Sequence, residues 1–335
     1  MAQQAKLKAR LADLANGRDE MNLCELPFAT LSERAGTRNI LEFQIEDYDR
    51  ELGQTVRRAL TVAGDPKHGL PTAKDEEVYL GLLKYTYDYN GFSSPDVHFS
   101  RSDLFDLMAW KKSDWAYARL TTAMHRLVGV RLSYQNLWRD NHNKQWRDQG
   151  AFGLLDSFKF RDSRESGRND SFEEFSSQFQ WSSVLFNSFD SGYLKRIDCG
   201  LSRSLSVTGR RLYRYLDKHF HPPAKMRLTL DMNRLAYQHI GISPSTEPDK
   251  VRKRYLIPAI EELEQVGYLA PLSLEKRFSL IKRGKWSVTF ERMPEQQLPE
   301  VSEDHKHIFE ALIRRGISED AARKFASHHA RDVVV

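Results

Sequence analysis

From Glu247 to Leu269, EPDKVRKRYLIPAIEELEQVGYL, apolar positions recur at helical spacing while the charges change sign along the stretch. At about 100° per residue, Leu256, Ile257, Ile260 and Leu263 share one side, and Val251, Arg254, Tyr255, Pro258 and Glu262 face away. The Glu247-Pro248 pair or Asp249 supplies a start, since Pro is tolerated in the first turn and a carboxylate offsets the positive dipole end; Gly267 supplies the stop. Pro258 removes a backbone hydrogen bond and predicts either a kink or a start as late as Tyr255. Beyond Gly267, the even spacing of Leu274, Phe278 and Leu280, then of Trp286, Val288 and Phe290, predicts two strands around Lys282-Arg283-Gly284-Lys285. Upstream, KMRLTLDMNRLAYQHIG reads as a strand and a helix with Leu235, Ala236 and Ile240 inward, preceded by a helix over Val207 to Phe220.

The first half repeats this order. Leu7, Leu11 and Leu14 mark a short amphipathic helix with the character of a mobile tail. Leu41, Phe43 and Ile45 alternate with polar residues as a strand, followed by a second extended run, Gln54 to Val62. Thr72 or Asp75 caps a helix through Val78, Leu82, Leu83 and Tyr85, which stops at Asn90-Gly91. His98 to Ser100 is extended and leads into a helix through Leu104, Phe105, Leu107 and Met108. From Lys111 to Gly129, Ala116, Tyr117, Leu120, Ala123, Met124 and Leu127 form one face of a helix. Val130 to Trp138 and Gly153 to Arg161 read as strands around a long turn, and Ser171 to Asp198 as a return to an alternating aromatic strand, with Phe175, Phe179 and Trp181, that closes the domain. Asp162 to Asp170 reads as a flexible insertion, Asp190 to Ser204 as an interdomain linker, and Asp304 to Arg314 and Ser318 to His329 as short helices.

The layout is α+β: an N-terminal extension over 1–38, a winged-helix domain over 39–193, a second over 194–293, and a linker with a small helical tail over 294–335. With 335 residues, 40% of them hydrophobic, the chain can build more than one core. Its formal net charge is only +5, from 51 basic against 46 acidic residues, so cations matter only where they are segregated. Cys24 and Cys199, the only thiols, give no framework for disulfides or zinc and fit a reducing compartment. No run is long and apolar enough to span a bilayer and no leader opens the chain, which places it in the cytoplasm.

Segregated cations occur twice. Lys250, Arg252, Lys253 and Arg254 gather at the N-terminal end of their helix and Glu261, Glu262 and Glu264 at the other, the polarity needed to enter a major groove flanked by phosphates. The basic turn of Lys282, Arg283 and Lys285 then serves as a wing. In the first half, Lys111, Trp115, Ala118, Arg119, Thr122, His125 and Arg126 share the face opposite Leu120, with Lys112 beside them; this set suits base edges and phosphates and lacks balancing carboxylates. Arg139, His142, Lys144 and Arg147 mark a second candidate wing.

NLCELPFATLS, GLPTAKDEEVYLGLLKY, WAYARLTTAMHRL and VRKRYLIPAIEELEQVGYL with its hairpin resemble the Rep-type, iteron-binding plasmid replication initiators, from about Met21 to Met293. The resemblance implies two winged helices gripping one double-stranded origin repeat, with Arg252, Lys253 and Arg254 reading sequence and Arg119, Thr122 and Arg126 engaging from the first domain. It also implies melting of neighbouring DNA, recruitment of host initiator and helicase proteins, dimerisation through the first domain, and a bacterial, plasmid-associated location without membrane contact.

Two alternatives compete. His219-Phe220-His221 resembles the histidine pair that binds a divalent ion in rolling-circle Rep nucleases, with Tyr213 or Tyr215 to attack a phosphate. The triplet, however, ends a helix and runs into Pro222-Pro223, where cationic His suits the negative dipole end. A winged-helix transcriptional repressor uses the same DNA contacts, and one chain can be both initiator and autorepressor. No other enzymatic motif is present: GDPKHGLP lacks the GK[ST] ending of a phosphate loop, and neither H-E-x-x-H nor CxxC occurs. No cofactor, metal or catalysis is expected.

Overall fold

The computed structural model describes residues 7, 9–11, 13–49, 53–161 and 176–294. A 3-10 turn at Leu14–Asn16 leads into β1 (Gly17–Glu20). The irregular segment after it is deeply packed, with Leu23, Leu26 and Phe28 buried. β2 (Ile40–Asp49) and β3 (Gln54–Ala63) form a hairpin that buries Leu41, Phe43 and Ile45 and exposes Glu42 and Gln44, as their alternation requires.

α1 (Ala73–Asn90) starts at a reciprocal Thr72–Asp75 capping box and ends at Gly91, whose φ of 63° closes a left-handed cap. β4 (Asp96–Phe99) is followed by α2 (Arg101–Met108), capped by Ser100, and α3 (Asp114–Gly129), capped by Ser113. β5 (Arg131–Asp140), β6 (Gln145–Phe152), β7 (Leu155–Lys159), β8 (Ser177–Trp181) and α4 (Ser183–Asp190) complete the first half. Its antiparallel sheets have the orders β2-β3-β5-β6 and β4-β8-β7.

β9 (Leu194–Ile197) pairs with β1, and α5 (Cys199–Ser204) leads to α6 (Val207–His219). Then come β10 (Arg227–Asp231) and α7, whose single turn Met232–Arg234 continues as a π-helical stretch, Leu235–Ile240. α8 runs in three pieces: Pro248–Lys250, a π-helical stretch Val251–Leu256, and Ile257–Gln265, followed by Gly267 at φ 72°. A short α9 (Leu274–Arg277) precedes β11 (Phe278–Lys282) and β12 (Lys285–Glu291), which join β10 in the order β10-β12-β11. The buried apolar residues form two clusters, one running from Leu11 to Phe189 and one from Ile197 to Phe290.

Several expectations give way to packing. Val251 is fully buried rather than outward, because wider π turns bring residues five apart, here Val251 and Leu256, onto one side. Those turns lie directly before Pro258 and take up its missing N–H without ending the helix. β5 pairs with β6, inside the expected long turn, and not with Gly153 to Arg161. The aromatic run after Trp181 is α4 and not more strand, while Leu274 is in α9. The expected linker contains β9 and α5. Leu11 is buried against the first core, so that part of the opening segment is packed. The insertion at 162–170, Phe175 and the C-terminal helices lie outside the described residues.

Candidate nucleic-acid interface

The π-helical stretch places the cations of α8 unequally. Arg254 is exposed and has no hydrogen-bond or ion-pair partner among the described residues. Lys253 is 62% exposed and pairs with Asp249 at 2.9 Å, while Lys250 pairs with Glu247 at 3.1 Å. These pairs are solvated, so competing phosphates can displace them at small cost. Hydrogen bonds from Lys253 and then Arg252 hold the Asp249 carboxyl below its ordinary range.

Arg252 does not face outward. It donates to Asp249 at 2.9 Å and lies over the Trp286 ring at 4.5 Å, joining α8 to the hairpin. In this arrangement it braces the helix against the hairpin.

The hairpin turns at Gly284, φ 75°, with Lys282 and Arg283 exposed at the tip. Lys285 is half engaged, 3.1 Å from Asp231. Burial would raise the Asp231 carboxyl, but the Arg234 N–H and Lys285 bring it below its usual value. At the hairpin's base, buried Arg277 donates to Thr289 O at 2.8 Å and Ala270 O at 2.9 Å and pairs with Glu264 of α8. Val288 and Phe290 are buried, whereas Leu280 is exposed, because β11 runs past the core.

On α3, Trp115 is 68% exposed and Arg119 lies over both Trp115, at 4.8 Å, and Trp110, at 5.1 Å. With Thr122, Ala118 and Arg34 they border a groove of about 570 Å³. Lys111 and Lys112 precede the helix, and Lys112 is 2.8 Å from Asp106.

Two residues of this face are committed elsewhere. Arg126 donates to His68 O at 2.8 Å and to Asp75 Oδ2 at 3.0 Å, so a carboxylate that the sequence did not place balances it. His125 stacks on His68 with ring centroids 4.7 Å apart. On the other hairpin, His142 and Lys144 are at the turn, but Arg139 and Arg147 are in the strands. Arg147 donates to Asp140 at 2.8 Å; burial opposes ionisation of Asp140, and the bonds from Asn143 and Arg147 prevail, bringing it to about 2.

α6 sends its arginines inward, a placement absent from the sequence-based expectations. Arg214 donates to Asp19 at 2.6 Å and 2.9 Å, to Leu23 O at 3.0 Å, and to Glu76 of α1. Arg211 donates to Glu76 at 3.0 Å and to Ala29 O and Ile240 O. Lys218 reaches Glu25 and Met21 O. Burial alone would raise the Glu76 carboxyl, yet Arg211 and Arg214 hold it below its usual value. This buried seam ties α6 to α1, β1 and the segment after it. One clue existed: Arg210, Arg214 and Lys218 are spaced i, i+4, i+8, a like-charge stack that a solvated helix disfavours and that calls for carboxylates from elsewhere.

His219 ends α6, 3.5 Å from Glu25, and His221 is exposed in a bridge to Lys225. Tyr213 is buried, its hydroxyl accepts the Asp198 N–H at 3.3 Å, and burial pushes its ionisation to higher pH. Tyr215 is also buried, against His219 and His239. Among the described residues no group of three or more His, Cys, Asp or Glu is placed to hold a metal, and no helix is long and apolar enough to cross a membrane.

Each of the two mixed α/β halves thus carries a helix and a hairpin with exposed cations. The chain is a member of the replication initiator protein A family, which it matches over residues 18–262. Domains 2 and 3 of RctB have a similar fold: at 13% identity they superpose with a TM-score of 0.54, covering 82% of this chain and 99% of that one. A second RctB structure of the same domains gives 12% identity and a TM-score of 0.49, over 81% and 96%. No curated protein matches the chain.

Proposed function

We propose that the chain initiates replication of a plasmid or similar replicon by binding double-stranded origin repeats through two winged helices. In this reading α8 enters a major groove by its N-terminal half. Arg254 reads bases, Lys250 and Lys253 contact phosphates, and the tip at Lys282 and Arg283 reaches the next stretch of backbone. α3 brings Trp115, Arg119, Thr122 and Lys111 to the same duplex. The protein then supports origin opening and the recruitment of host initiator and helicase proteins, without chemistry of its own, and represses its own gene when its repeats overlap the promoter.

The observation that carries this reading is the exposure of Arg254, Lys253, Lys282 and Arg283 on a helix and hairpin braced to each other by Arg252, Trp286 and Arg277. A footprint of the purified chain on the DNA upstream of its own gene tests it. Protection of regularly spaced repeats is expected; uniform protection at all concentrations would overturn it.

A further inference from the structure

At the end of β11, Leu280 and Ile281 are each 58% exposed, next to the cationic turn. Their exposure follows from a local irregularity. Leu280 pairs with Trp286 and Lys282 with Lys285, so Ile281 has no partner across the hairpin and the register shifts there. A bulge of this kind re-aims side chains near a strand's end.

The tip is also held. Asn233 Nδ2 donates to Gly284 O at 3.0 Å, Lys285 is 3.1 Å from Asp231, and Trp286, across from Leu280, is covered by Arg252. Two aliphatic side chains on a braced, cationic projection can be pushed into a partner without folding back.

Which partner fits follows from size and charge. Two side chains make too small an apolar patch for a stable protein interface. The flanking Lys282 and Arg283 select a polyanion, and the flat apolar surface such a polyanion offers is the face of a base pair. Leu and Ile are among the side chains that insert between base steps from the minor groove and unstack them.

We propose that Leu280 and Ile281 form a wedge that enters the minor groove of bound duplex and unstacks one base step, guided there by Lys282 and Arg283. The wedge rests on the DNA-binding reading above and adds to it the place where opening of the duplex begins. A flexible pyrimidine–purine step is its natural target, since such steps unstack most readily.

The test uses the full chain and the duplex it enriches from a random pool, rebuilt with 2-aminopurine at successive positions. Binding of the wild type is expected to raise fluorescence at one step. A Leu280→Ser/Ile281→Ser double variant, whose altered side chains are exposed and whose thermal midpoint should be unchanged, loses that rise while binding within about threefold of wild type. Leu280→Met/Ile281→Met keeps the rise, and Lys282→Ala keeps it at saturation while binding more weakly. A rise that persists in the serine variant, no rise at any position with wild type, or a serine variant whose binding falls well beyond threefold would overturn the wedge and leave the DNA reading standing. Failure of the wild type to enrich any duplex would overturn both.

Discussion

Helices α6 and α8 have similar basic content and opposite fates. α6 carries Arg210, Arg211, Arg214 and Lys218, and its arginines are buried against Asp19, Glu76 and Glu77. α8 carries Lys250, Arg252, Lys253 and Arg254 and shows all but Arg252 to solvent. The difference comes from carboxylates far away in sequence: Glu76 lies 138 residues from Arg214. A guanidinium desolvated at a seam is held in place by the charges it meets there, whereas one in water remains available to an incoming anion. Holding the halves together and, in the proposed reading, meeting DNA thus fall to two separate sets of cations.

Removing a partner on each side sharpens the contrast. Arg214→Met leaves Asp19 buried without its cation and Glu76 with Arg211 alone, and is expected to cost about 3–5 kcal/mol, read by urea unfolding. A loss no greater than that of a surface substitution would mean that the seam is solvated. Arg254→Ala should leave unfolding unchanged and weaken binding to the cognate repeat, relative to random DNA, by about 1–3 kcal/mol. Equal losses on both DNAs would make Arg254 a phosphate contact.

The packing beside the seam also depends on pH, through His239. Burial lowers His239, whose ring contacts Glu25 O at 3.2 Å, to about 4. As pH falls below about 6.5 the unfolded chain binds a proton that the folded chain refuses, so stability declines by about 1.4 kcal/mol per pH unit until the folded value is reached. His239→Gln should flatten the unfolding free energy between pH 6.5 and 5 by one proton; an unchanged slope would place His239 in water.

The smallest effect belongs to the hairpin. Lys282→Ala should flatten the slope of log affinity against log salt by about 0.9. Lys285→Ala should do less, because Asp231 already neutralises part of its charge.

Much of this was legible in the sequence, for local reasons. Thr72 with Asp75, Ser100, Gly91 and Gly267 mark element ends through bonds made within a few residues, and the alternation in β2 and the spacing in α3 follow from burial of one face. The parts that were not legible depend on distant partners. Arg126 looked free because Asp75 comes from another helix, Arg252 looked like a base reader because Trp286 comes from the hairpin, and the α6 arginines drew no notice because their carboxylates lie in α1 and β1. Val251 was misplaced for a different reason: a 3.6-residue period does not describe a π turn, and Pro258 was the only hint that the period would change.

The widened turns of α8 make its length as consequential as its chemistry. On either side of Val251–Leu256 the helix is phased as though one extra residue had been inserted. Deleting a single position between Arg252 and Tyr255 would let the backbone close to ordinary α geometry and leave Lys250 and its neighbours close to their present direction relative to Leu263. Such a deletion would keep the charge of the helix and its aim, whereas the same deletion within Ile257–Gln265 would turn the cations by about 100°, a change that an alanine scan would never sample.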